Sequence, residues 1–135
     1  MSSVVYESSV TAVGSQVEPF LGHQVMILFG ADSPPELHDI SVLHRAEVAE
    51  DGPRPGDTIH IGGADLEVLA VGDVVRDNLL NLGHLDLKAD GRTEPKLPGD
   101  VCVPKGDLPL PAAGQRFAIT RRGAAAAGAG VGGGA

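Results

Sequence analysis

Five histidines are the groups of this chain best suited to do chemistry: His23, His38, His44, His60 and His84. His44 stands apart because it sits at the centre of residues 40–48, a run that alternates like a strand. At period two, Ile40, Val42, His44, Ala46 and Val48 share one face, while Ser41, Arg45 and Glu47 take the other. An imidazole among apolar neighbours is costly unless it has a hydrogen-bond partner or a task. The neutral ring is a nucleophile, and its ordinary pKa leaves much of it neutral near pH 7. His84 follows Leu82-Gly83, where a helix is expected to end and a strand to begin, so two elements fix its position. Two imidazoles facing across a cleft can hold a phosphoryl group on one ring nitrogen and hydrogen-bond it from the other ring.

The remaining groups have blander readings. His38 and His44 are six apart across an expected break, no histidine pair has i, i+4 spacing, and Cys102 is the only cysteine. The spacing therefore gives little support for a metal site. His23 follows Gly22 in a turn and His60 lies between Ile59 and Ile61, so both are expected to face solvent. No nucleophile elbow, phosphate loop or dinucleotide fingerprint occurs. Asp65 and Glu67 read as solvated charges. Arg45, on the face opposite His44, is a poor phosphate clamp unless the strand ends or bulges there. Cys102 lies between two valines and reads as a buried, unreactive thiol.

The elements that must position His44 and His84 are mostly short strands. Strands are expected at residues 4–13, 24–29, 40–48, 58–61, 64–71, 84–88, 101–103 and 115–120. The continuous apolar run 24–29 suggests a strand buried on both faces, and Pro34-Pro35 permits one helical turn through Leu37 and His38. Gly62-Gly63 suits a hairpin turn. One convincing helix follows, with Asp73 as cap, Val75, Leu79 and Leu82 on one face, and Gly83 closing it. The expected fold is mainly β: a small closed or partly open β-barrel with one inserted short helix.

Length and charge bound the function. At 135 residues, 42% hydrophobic, the chain is one domain with room for a real core. Aromatic content of 3% without Trp argues against stacking platforms for bases. A net charge of -8 disfavours nucleic acid and anionic lipid. Met1-Ser2-Ser3-Val4 begins no signal peptide and no apolar run approaches membrane-spanning length, so a cytoplasmic protein without membrane insertion is expected. A lone cysteine fits a reducing compartment. Residues 1–122 are expected to form the domain, and 123–135, all Gly and Ala with one Val, a disordered tail.

The order of local sequences carries more than any single motif. Ala31-Asp32-Ser33-Pro34-Pro35-Glu36-Leu37, Val42-Leu43-His44 and Pro55-Gly56-Asp57 come first. Ala70-Val71-Gly72, Asn78-Leu79, Leu82-Gly83-His84-Leu85, Asp90-Gly91 and Leu97-Pro98-Gly99 follow. This succession, spanning about residues 4–120, resembles the enzyme IIA component of the glucitol/sorbitol-specific phosphotransferase system (PTS). The resemblance implies a cytoplasmic phosphocarrier with no cofactor or metal. It would accept a phosphoryl group from the histidine carrier protein HPr and pass it to the IIB unit of a membrane sugar transporter with its IIC component. The family's phosphorylated histidine maps onto His44, and its Leu-Gly-His segment onto Leu82-Gly83-His84, where His84 has a supporting role. Ala46 stands where a second histidine is common, which throws weight onto His84; Ala89 replaces an aromatic before the Asp-Gly turn, a matter of packing. Two other readings compete: a IIA-like regulatory or scaffold module without phosphotransfer, and a metal-dependent hydrolase.

Overall fold

The computed structural model describes residues 2–123; apart from Gly123, the expected Gly/Ala tail lies outside them. Nine strands form one mixed sheet: β1 (Ser2–Val13), β2 (Val25–Gly30), β3 (Val42–Ala49), β4 (Thr58–Ile61), β5 (Ala64–Glu67), β6 (Ala70–Val71), β7 (Leu85–Lys88), β8 (Asp100–Cys102) and β9 (Arg116–Arg122). Their order across the sheet is β5-β4-β9-β1-β3-β2-β7-β8-β6. The β2–β3 and β7–β8 pairs are parallel and the others antiparallel. Two short helices, α1 (Val17–Leu21) and α2 (Val75–Leu82), and a 3-10 turn at Pro35–Leu37 complete the described fold.

The sheet is not closed into a barrel, which corrects the expected architecture, and there are two helices rather than one. The reason lies in residues 64–71, which read as one strand in sequence. Ala64–Glu67 pairs with β4, whereas Ala70–Val71 pairs with β8, at the far end of the same sheet. Between them, the Val68 amide bonds to the Asp57 carbonyl and the Leu69 amide to the Cys102 carbonyl, both at 2.8 Å. One run of sequence thus serves both sheet edges. Two linking residues span only about 10 Å, so the sheet must curl strongly to bring its edges that near. Alternation specifies a face and not a partner, so sequence alone does not reveal this exchange. The helix α1 was not expected; at five residues it offers only Glu18 and Pro19 in its first turn and the buried Val17.

β1 is the spine, pairing with β3 on one side and β9 on the other. Its ladders shift register at Val4/Tyr6, Glu7/Ser8 and Val10/Ala12, and such irregularities increase local twist. The core gathers Tyr6, Met26, Leu28, Val42, Leu87, Val101, Phe117 and Ile119, each at most 1% exposed. In β2, Met26 and Leu28 are buried and their neighbours only partly so; the strand is buried on one face, not both as its apolar run suggests.

Candidate functional site

β3 opens with three consecutive buried residues, Val42, Leu43 and His44, followed by exposed Arg45, Ala46 and Glu47. Successive residues point to opposite faces, so both faces of the strand are covered at its start and uncovered beyond His44. The expected apolar face running from Ile40 through Ala46 to Val48 therefore ends at His44. The cause is β2, which pairs with β3 only from Leu28↔Val42 to Gly30↔His44. The Ala31 amide still bonds to the His44 carbonyl at 2.8 Å, and the Ser33 amide turns back to the Gly30 carbonyl at 3.0 Å. There the chain peels away and leaves an open edge.

A cleft of about 650 Å³ occupies that opening. Its walls are the end of β2 with the following turn (Phe29, Ser33), the β3 residues His44 and Arg45, and the C-terminus of α2 (Leu82, Gly83). Val42 and Leu43 are core residues, and Phe29, Pro34, Leu37 and Leu82 give the cleft its apolar surface. Leu82, expected on the packed face of α2, is 55% exposed. Arg45 also lines the cleft, although β3 continues through it in regular register with β1.

The His44 ring is 1% exposed, packed edge-on against Phe117 (centroids 5.1 Å) and Tyr6 (6.0 Å). Its Nε2 donates to the Gly83 carbonyl oxygen at 2.7 Å. A carbonyl oxygen only accepts, so Nε2 carries the proton and the lone pair lies on Nδ1. That Nδ1 is buried without a partner. Burial lowers the pKa of the ring below its ordinary value, and the bond to the Gly83 carbonyl offsets this in part. The ring is therefore neutral at physiological pH. Burial also pushes the Tyr6 hydroxyl, beside the ring, up to about 12.

Gly83 makes the contact possible. It closes α2 in the left-handed region (φ 65°), and the amides of Gly83 and His84 return to the carbonyls of Leu79 and Asn78. A Cβ there would lie 2.6 Å from the Gly30 amide nitrogen and 3.2 Å from His44 Nε2. Two glycine backbones thus pack directly on each other next to the imidazole. The sequence signalled Gly83 as a helix terminator but not its carbonyl as the partner of His44. The expected cap is absent: Val74 takes the N-cap position with no side-chain bond.

His84 is placed beside this contact rather than opposite His44. Its ring stacks on Phe29 (centroids 4.1 Å, 4° apart), and its Nε2 meets Asp86 Oδ1 at 3.0 Å. Phe29 lines the cleft, so His84 supports its wall. His38 bonds through Nε2 to the Ser33 carbonyl at 2.8 Å. His60 bridges Asp65 (2.6 Å) and Thr120 (2.7 Å) and so is tied to neighbouring strands rather than simply solvated. Cys102 is fully buried, and burial followed by the nearby Asp90 raises its thiol to about 11. Among the described residues, no group of three or more His, Cys, Asp or Glu side chains is placed to hold a metal ion.

The mainly β domain thus sets the buried His44 imidazole, held by the Gly83 carbonyl, beside an open cleft. Comparisons with known proteins show the family. The family model described as "PTS system glucitol/sorbitol-specific IIA component" matches residues 5–118. The PTS system glucitol/sorbitol-specific EIIA components of Shigella flexneri and Escherichia coli strain K12 are each 33% identical over 101 residues, covering 75% of this chain and 82% of the relative. The crystal structure of a PTS system IIA component from Enterococcus faecalis V583 shares the fold, with a TM-score of 0.71 at 23% identity over 82% of this chain and 96% of that one. The chain belongs to the PTS glucitol/sorbitol-specific IIA component family, phosphotransfer proteins of sugar transport. Among the described residues no helix is long and apolar enough to cross a membrane.

Proposed function

We propose that the protein is the phosphocarrier of a cytoplasmic relay, taking a phosphoryl group from phospho-HPr onto His44 and giving it to a IIB component for glucitol/sorbitol uptake. The observation that carries this reading is the His44 ring itself: one nitrogen is held by a main-chain carbonyl and the other is buried with its lone pair unused. In transfer, the ring lone pair attacks phosphorus in line. The donor's N–P bond breaks and its electron pair returns to the donor ring. Little acid–base machinery is needed beyond positioning.

The resting ring is only 1% exposed, so uptake requires a local opening. The Gly30–Gly83 contact is the natural place, because no side chain from either glycine interlocks the two segments. Closure afterwards keeps water from the phosphoramidate, so that the group is passed on instead of hydrolysed. His84 acts through Phe29, as a positioning residue of the cleft wall. Net charge, -8 over the whole chain, suits brief docking to basic partner faces.

Incubation with phosphoenolpyruvate, enzyme I and HPr tests the reading. An acid-labile phosphate, present in the wild type and absent from His44→Gln, supports it. The burial of the ring also favours a second reading, a IIA-like regulatory module that is never phosphorylated. No labelling by any competent HPr would establish that alternative.

A further inference from the structure

We infer that Ser33 and Arg45 form the cradle for the phosphoryl oxygens at His44, an inference that rests on the phosphocarrier reading above. Among the described residues, three buried side-chain atoms have no hydrogen-bond partner: Ser33 Oγ, His44 Nδ1 and Asp100 Oδ1. Asp100 is nonetheless compensated, since Lys88 Nζ stands 2.9 Å from Oδ1 and bonds to Oδ2 at 3.0 Å. The other two atoms belong to residues lining the same cleft. Other buried serine hydroxyls are satisfied: Ser41 donates to the Leu37 carbonyl at 2.6 Å and Ser8 to the Phe117 carbonyl at 3.3 Å. Ser33 is the exception, and it is the serine that lines the same cleft as His44.

Its backbone is fixed from both sides. The amide bonds to the Gly30 carbonyl at 3.0 Å, and the carbonyl accepts from His38 Nε2 at 2.8 Å. A hydroxyl carried on a backbone fixed in this way, and itself unpartnered, is prepared for an acceptor that arrives later. A phosphoryl group brings three oxygens, and the serine O–H donates to one of them. Arg45 supplies the charge. Among the described residues its guanidinium meets only Asp32, at 3.9 Å, with both side chains largely exposed, so the pair is weak and the arginine can swing. A planar guanidinium can then bind two phosphoryl oxygens at once. By contrast, Arg116 and Arg121 are already committed to carboxylates at 2.8–3.1 Å.

The experiment compares wild type, Ser33→Ala, Arg45→Gln and Arg45→Lys, each labelled from phospho-HPr in a timed quench. The same samples are followed by phosphorus NMR of the phosphohistidine and by thermal melting. Ser33→Ala and Arg45→Gln should each slow labelling about tenfold or more, the loss expected for one charge-assisted hydrogen bond. The final stoichiometry should be unchanged, the phosphorus resonance should move, and Arg45→Lys should restore part of the rate. Because the Ser33 hydroxyl has no partner at rest, Ser33→Ala should melt no lower than wild type. Labelling within twofold of wild type with an unmoved resonance overturns the cradle while leaving His44 as acceptor. A lowered melting temperature in Ser33→Ala that accounts for its rate loss also overturns it. A wild type that takes no phosphate overturns both this inference and the reading beneath it.

Discussion

Two regions of this molecule bury polar side chains against the sheet, and they do so in opposite ways. Around Arg121 every charge is answered. Its guanidinium donates to Asp57 Oδ1 and Oδ2, to Asp51 Oδ2 and to the Gly52 carbonyl, all between 2.9 and 3.0 Å. Asp51 also receives Arg76 Nε from α2 and the Gly52 amide, each at 2.8 Å. Burial alone would raise the Asp51 pKa, but Arg76 and Arg121 hold it far below the usual carboxylate range. Asp57, followed by partial burial acting the other way and by Asp51, raises the already high pKa of Arg121. At His44 the arrangement is incomplete: one ring nitrogen is bonded, the other is not, and the Ser33 hydroxyl nearby has no partner. The first region ties the loop between β3 and β4 to α2 and β9. The second leaves hydrogen-bonding capacity unused, as the proposed phosphate acceptor requires. A saturated network reads as structure, and an unsaturated one beside an opening reads as function.

Substitutions can break or sharpen this contrast. The largest effect expected is loss of all acid-labile phosphate in His44→Gln, measured with labelled phosphoenolpyruvate, with a folded circular dichroism spectrum retained. Arg121→Met should do the reverse. It leaves the buried Asp57 carboxylate without its guanidinium partner, should cost about 3 kcal/mol in urea unfolding, and should leave phosphate uptake per folded molecule intact. If Arg121→Met were neutral to stability, the saturated region would not be the fold's clamp. Gly83→Ala lies between the two. A positive φ penalises a side chain by about 1–2 kcal/mol, and the new Cβ would collide with Gly30. A loss of about 2 kcal/mol or more, together with a changed labelling rate, would connect the glycine contact to the opening of the site.

Smaller effects test the details. His84→Ala should keep full phosphate stoichiometry and slow its uptake by a few-fold, since Phe29 loses its stacked neighbour; complete loss would make His84 a direct phosphate ligand. The pH dependence follows from the lowered pKa of His44. As pH falls below about 6.5, the ordinary histidine value, the unfolded chain binds a proton that folded His44 resists. Stability should therefore be full above that pH and decline below it, towards the depressed folded value. His44→Gln should show a flatter acid limb in denaturant titrations; an identical limb would mean that the ring protonates freely in the folded state.

Several of these features were legible in the residues. The alternation of 40–48 marked the strand and put an imidazole on its apolar face, and Gly83 ended its helix as expected, because left-handed φ favours glycine. The pairing of His84 with His44 was not legible in this way. Spacing brings residue 84 near residue 44 only through folding, and the backbone of Gly83 occupies the place assigned to the His84 ring. Nor did composition show Arg121 as an interior clamp, since its partners Asp51 and Asp57 are 70 and 64 residues away.

The sequence by itself determined the elements that depend on local physics: where strands alternate, where glycine and proline stop them, and which histidine is enclosed by apolar neighbours. Only the tertiary structure decided the rest. It set which strand borders which, how one short run serves both sheet edges, and where β2 stops alongside His44 to leave a cleft. Those outcomes depend on long-range pairing and backbone contact between distant segments, and a side-chain pattern records which face is apolar without recording what will cover it.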